Sequence, residues 1–211
     1  MPNSLFHLQF PAPTPPNVST WVTLLESWDQ WSKQMTGTGS YTLNANYLEV
    51  STGPTSGGLA RVWKAPSLSP LMPTWAKNRT IQFKAEIRMF ADAASENYVS
   101  TGVGLPASDG FGFKFTDTKI RGFASNGGAV TLVDLITGLT PGTYYNYKFK
   151  AVFTAGIKVE FYIDGVLLGT ITTNLPVTDT NAYIPCWFAV KSGADALSLI
   201  RTSGFTIQQD L

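Results

Sequence analysis

Hydrophobic and polar positions alternate with a period of two along most of this chain. The clearest run is residues 80–90, where Ile81, Phe83, Ala85, Ile87 and Met89 are interleaved with Gln82, Lys84, Glu86 and Arg88. Successive strand residues point to opposite faces, so this run predicts a strand with one dry face and one wet face. Residues 147–153 alternate in the same way, Gly156 turns the chain, and residues 158–163 run back. Asp164-Gly165 is a two-residue hairpin turn of the type that needs positive φ, and residues 166–171 run forward again. Together these segments read as a three-stranded meander.

Further strands are predicted over residues 41–45, 47–51, 59–63, 98–105, 110–115, 119–124, 129–135, 183–190 and 197–208. Asn126-Gly127-Gly128 and Thr140-Pro141-Gly142-Thr143 mark turns, and residues 91–97 read as a loop or a single helical turn. About a dozen strands at 8–12-residue spacing, with no convincing amphipathic helix, argue for an all-β sandwich or barrel. Residues 20–34 are ambiguous. Trp21, Leu24, Leu25, Trp28 and Trp31 fall at helical spacing, and a first strand over residues 22–26 accounts for the same positions.

Residues 1–20 have a different character. Pro11, Pro13, Pro15 and Pro16 fix φ and remove amide donors, so this segment is expected to be extended and to lie outside the main sheets. Phe6, Leu8 and Phe10 alternate just before the prolines, as a short added strand would. Two readings stand side by side: a disordered tail, and an arm that docks on another subunit through Phe6, Leu8, Phe10, Pro11 and Pro13. The expected division is therefore an arm over residues 1–20 and one domain over residues 21–211.

Composition narrows the function classes. Charged residues make up 14% of the chain and aromatics 13%, against roughly 25% charged in ordinary soluble proteins. A net charge of +1 with no Lys/Arg run leaves no electrostatic footprint for a phosphate backbone, which sets nucleic-acid binding aside. No apolar run has the length of a membrane-spanning helix. The first residues lack a basic start, an apolar stretch and a small-residue cleavage site, so synthesis in the cytoplasm is expected, with a virion or extracellular surface as destination. Cys186 is the single cysteine and His7 the single histidine. Cys186 sits in an apolar stretch and reads as a small buried hydrophobe, not a nucleophile with a histidine partner.

The meander carries a resemblance. The run from Val159 through Tyr162-Ile163-Asp164-Gly165 to Thr170, followed by Leu175-Pro176, resembles a strand, Asp-Gly hairpin and strand of concanavalin A-like lectin/glucanase domains. The stretch with Trp28, Trp31, Gly37, Gly39, Tyr47 and Gly53 is similar to the opening of such domains, and residues 197–207 stand where their last strand stands. The resemblance spans residues 21–208. It implies a two-sheet antiparallel jelly-roll β-sandwich, here with an extended Pro-rich N-terminal arm. Domains of this kind occur in phage and viral surface proteins, in lectins and in glycan-degrading enzymes.

The glucanase branch carries a Glu-x-Asp-x-x-Glu cluster on one strand, because glycoside cleavage needs paired carboxylates. This chain has no such cluster. Its strand carboxylates Glu49, Glu86 and Glu160 stand singly, with an approach of Glu86 to Glu160 across the sheets as one alternative to solvated outward positions. Asp92 with Glu96, and Asp109 with Asp117, are too sparse to supply the six to eight oxygens that calcium takes, so no metal and no cofactor is expected. Gly102, Gly104, Gly110 and Gly112 read as strand bulges and turns, not as a phosphate loop. The candidate sugar-contacting rings are Trp75, Tyr144 and Tyr145, weighed against core or rim packing. The resulting expectation is a non-enzymatic structural or adhesion module of a virion surface, homo-oligomeric and docked on other subunits through its arm. The alternatives are a lectin domain for cell-surface glycans, and a glycoside hydrolase or lyase with an atypical site.

Overall fold

A computed structural model of the chain describes residues 18–22, 31–43, 47–54, 56–64, 79–92, 94–103, 108–154, 156–177, 186–192 and 197–210. Among these residues the regular structure is entirely β. The chain runs through β1 (Val18–Val22), β2 (Trp31–Thr36), β3 (Ser40–Leu43), β4 (Leu48–Ser51) and β5 (Leu59–Lys64). It continues through β6 (Ile81–Ala91), β7 (Ser95–Val103), β8 (Asp109–Thr116), β9 (Lys119–Asn126) and β10 (Ala129–Thr137). It closes with β11 (Tyr144–Thr154), β12 (Lys158–Ile163), β13 (Val166–Ile171), β14 (Cys186–Ser192) and β15 (Ser198–Asp210).

These strands form two antiparallel sheets. The eight-stranded sheet has the order β13-β12-β11-β6-β15-β4-β3, with β1 also paired to β15. The seven-stranded sheet has the order β10-β9-β8-β7-β14-β5-β2. Apart from the β3–β4 hairpin and the meanders β7–β10 and β11–β13, each connection carries the chain from one sheet to the other, which makes a jelly-roll sandwich. The long β15 pairs β6 on one side; on the other, Leu199–Thr202 pair β4 and residues 206–210 pair β1.

Period-two patterning places the core. On β6 the odd positions from Ile81 to Ala91 are buried while Lys84 and Glu86 are exposed. Phe113 of β8 packs against Phe149 and Phe161, with ring centroids 4.8 and 5.5 Å away, and Phe111 stacks on Phe153 at 5.8 Å. These rings join the two sheets. Each aromatic pair is worth about 0.5–1.5 kcal/mol beyond its burial. One polar bridge also crosses the sandwich: the Ser198 hydroxyl donates to Asn97 Oδ1 at 2.6 Å, and both residues are buried.

Turn chemistry matches the residue types. Asp164 and Gly165 hold φ at 49° and 84°, and Gly127 and Gly128 hold 56° and 90°, the positive values that two-residue hairpins require. Elsewhere the structure corrects the sequence reading. Of residues 20–34, those described are strand: β1 ends at Val22 and β2 begins at Trp31, and residues 23–30 lie outside the described residues. Pairing with β15 at Trp21 and with β5 at Trp31 overrides the helical reading at these two positions. β6 runs on to Ala91 and β7 already begins at Ser95, so most of residues 91–97 is strand, with Ala94 between them at φ 50°. Gly102, Gly110 and Gly112 are not bulges, because β7 and β8 pair without a register shift. They mark a close approach of the strands: a Cβ on Gly110 would lie 2.4 Å from the Thr101 carbonyl oxygen, and one on Gly112 would lie 2.3 Å from that of Val99. The arm residues Phe6, Leu8, Phe10, Pro11 and Pro13 lie outside the described residues, as does Trp75.

Candidate binding face

Strand alternation on β11 decides the fate of the Tyr144-Tyr145 pair. Consecutive strand residues point to opposite faces. Tyr145 turns inward: its ring packs against the core beside Tyr147, and its hydroxyl accepts a hydrogen bond from the Thr140 amide at 2.8 Å. Tyr144 turns outward and is 46% exposed. The structure therefore separates the two rings, and only Tyr144 stands where a ligand can reach it. Cys186 opens β14 opposite Thr101.

Register places the neighbours of Tyr144 on the outer face of the eight-stranded sheet. Tyr144 lies opposite Phe90, which lies opposite Leu199. The next outward row runs from Glu49 through Arg201 and Arg88 to Asn146. The Arg88 guanidinium sits 4.1 Å from the Tyr144 ring centroid, and the Phe90 ring is 4.7 Å away. Arg201 donates through Nε and Nη2 to one carboxylate oxygen of Glu49 and stacks 4.2 Å from the Tyr47 ring. The hydrogen bond to Glu49 holds the Arg201 guanidinium further into its charged form, against the opposing effect of burial. Exposed Asn146 and the oriented Glu49–Arg201 pair offer planar donors and acceptors beside an exposed ring. That combination fits the hydroxyls and apolar face of a sugar.

The same face continues along β11 to a second aromatic. Lys84, Lys150, Tyr162 and Leu167 lie opposite one another on β6, β11, β12 and β13. The Lys150 ammonium is 3.8 Å from the Tyr162 ring centroid. Glu160 accepts from Lys158 at 2.8 Å, a bond that raises the lysine's pKa, while burial and then the Glu160 charge raise that of Tyr162. Across the outer face of this sheet the described side chains include the cations Lys84, Arg88, Lys148, Lys150, Lys158 and Arg201. The strand carboxylates there are Glu49, Glu86 and Glu160.

Glu86 and Glu160 do not meet across the sheets. Both lie on this one face, Glu86 opposite Lys148 and Glu160 opposite Val152. Two inter-strand spacings, with β11 between, and four residues along the strand separate them, about 16 Å by strand geometry, well beyond the ~5–9.5 Å of a glycosidase pair. Asp109 and Asp117 lie at opposite ends of β8, and Glu96 is engaged by Lys114 at 2.7 Å.

The outer face of the seven-stranded sheet is electrostatically quieter. Lys119 and Arg121 both bond Asp134, at 2.7 Å each, and hold its carboxyl below the usual range. Arg61 meets Gln34. The cue for preferring the other sheet was present in the sequence as the alternation of residues 80–90 and 147–153. What it lacked was strand order: that β6 lies between β11 and β15 cannot be read from spacing.

No protein-family model matches the chain, and no curated protein sequence matches it. Solved structures do. A protein of unknown function from Shewanella oneidensis MR-1 superposes with a TM-score of 0.59 at 14% identity, covering 92% of this chain and 87% of that one. The carbohydrate recognition domain of Emp47p gives a TM-score of 0.62 at 7% identity, covering 95% of this chain and 100% of that one. The Crh5 transglycosylase in complex with NAG gives 0.62 at 14% identity, covering 92% and 87%. At such identities the likeness establishes the fold, and the fold is the concanavalin A-like lectin/glucanase sandwich.

Proposed function

We propose that this chain is a carbohydrate-binding domain of lectin type that holds saccharides on the outer face of the eight-stranded sheet, without cleaving them. The observation that carries the reading is the exposed Tyr144 ring, flanked in register by Arg88, Asn146 and the Glu49–Arg201 pair. An aromatic face beside oriented planar hydrogen-bonding groups is a sugar-binding arrangement. The fold shared with carbohydrate recognition domains supports this reading. Binding without turnover rests on the wide separation of Glu86 from Glu160. The reading as a virion structural module drew in part on Phe6, Leu8, Phe10, Pro11 and Pro13, which lie outside the described residues.

A glycan and polysaccharide array, read both for retention and for released sugar, tests the proposal. Retention is expected, weakened about ten-fold by Tyr144→Ala, the ~1.4 kcal/mol that a lost ring contact is worth. A blank array with folded protein contradicts it and returns assembly to first place. Released sugar contradicts its non-enzymatic half.

A further inference from the structure

The charge on the proposed binding face goes further than sugar binding in general. Lys84 and Lys150 are directly opposed across β6 and β11, and Arg88 is directly opposed to Arg201 across β6 and β15. Like charges facing each other at this spacing destabilise a sheet. Arg201 is neutralised by Glu49. None of the ion pairs among the described residues includes Lys84, Arg88 or Lys150. On the opposite sheet Lys114, Lys119 and Arg121 are each held in a salt bridge, and Arg61 meets the neutral Gln34.

Two of these unpaired cations lie against aromatic rings. Arg88 covers Tyr144 at the start of β11, and Lys150, near the middle of that strand, covers Tyr162 on β12. By strand geometry the two rings are about 20 Å apart. Each unit presents a ring for a pyranose and a positive head for an anionic substituent. A ligand whose sugars repeat and whose charges repeat engages both units at once.

We propose that the ligand of this face is an acidic polysaccharide, carrying carboxylate or sulfate groups, laid along β11 across the Arg88–Tyr144 and Lys150–Tyr162 units. The proposal rests on the carbohydrate-binding reading above and names the ligand class for it. An anionic chain would relieve the Lys84–Lys150 repulsion that the free protein carries, so those lysines oppose stability while serving binding.

Titration of the full chain with polygalacturonate, dextran sulfate, neutral dextran, a panel of neutral oligosaccharides and duplex DNA tests this. The expected result is binding to polygalacturonate or dextran sulfate that falls at least ten-fold between low and physiological salt and exceeds binding to dextran. The variant with Lys84→Gln and Lys150→Gln is expected to lose at least ten-fold in affinity and yet unfold at an equal or higher denaturant concentration, whereas Lys119→Gln on the opposite sheet leaves affinity unchanged. Equal binding of neutral and acidic sugars overturns the acidic assignment and leaves the lectin reading standing. Binding of no saccharide at all overturns both. Tighter binding of duplex DNA than of either acidic polymer, or an equal loss from Lys119→Gln, overturns the proposal in favour of a general polyanion effect.

Discussion

Gly165 holds φ at 84° directly after Asp164 at 49°, and the Asp164 carboxylate accepts the Lys148 amide at 2.9 Å, tying the hairpin to the neighbouring strand. A side chain at the left-handed position costs about 1–2 kcal/mol. Gly165→Ala is therefore expected to lower stability by about that amount, measured as a shift of the urea midpoint with unchanged slope. This turn was legible in the sequence because Asp-Gly is itself the conformational instruction. The roles of Gly110 and Gly112 were not, because what forbids a Cβ there is the carbonyl of another strand, and only pairing brings it close. Glu86 and Glu160 failed for the same reason: each alone reads as a solvated outward residue, and their separation depends on β11 lying between them.

At the scale of an element, β11 carries the argument. Its inward positions Tyr145, Tyr147, Phe149, Ala151 and Phe153 serve the core; its outward positions Tyr144, Asn146, Lys148 and Lys150 make the candidate face. One strand thus separates stability from binding with a period of two. Tyr145→Ala is expected to destabilise by about 2 kcal/mol, the loss of a half-buried ring, with saccharide affinity preserved under folding conditions. Tyr144→Ala is expected to cost about 1 kcal/mol, from its contacts with Phe90 and Arg88, less than Tyr145→Ala, and to weaken binding. Denaturation curves and saccharide titrations on both variants separate the two effects, and reversed assignments would refute the register. The alternation was readable from residue 147 onward. Its extension back to Tyr144 was missed because the Pro141-Gly142 turn ends closer to the strand than the spacing suggested; the strand begins as soon as pairing to Phe90 is available.

Across the whole molecule, the sandwich was legible because its meanders and its alternating strands are local patterns, and the resemblance of the Asp164-Gly165 region added the family of folds. Strand order was not legible, since it is set by long-range pairing such as β1 with β15 and β6 with β15. The face that strand order creates follows from it: β6 is brought from a distant part of the chain beside the β11–β12 hairpin, and with it Arg88 joins Tyr144, Lys150 and Tyr162. The central claim is that this outer face holds the ligand. Its most direct test is a backbone amide NMR map recorded while an acidic oligogalacturonide is added. The account predicts that the shifts concentrate at Arg88, Tyr144, Asn146, Lys150 and Tyr162, with the opposite sheet at Lys114, Arg121 and Leu132 unmoved. Shifts confined to that opposite sheet, or spread evenly over both, would contradict it.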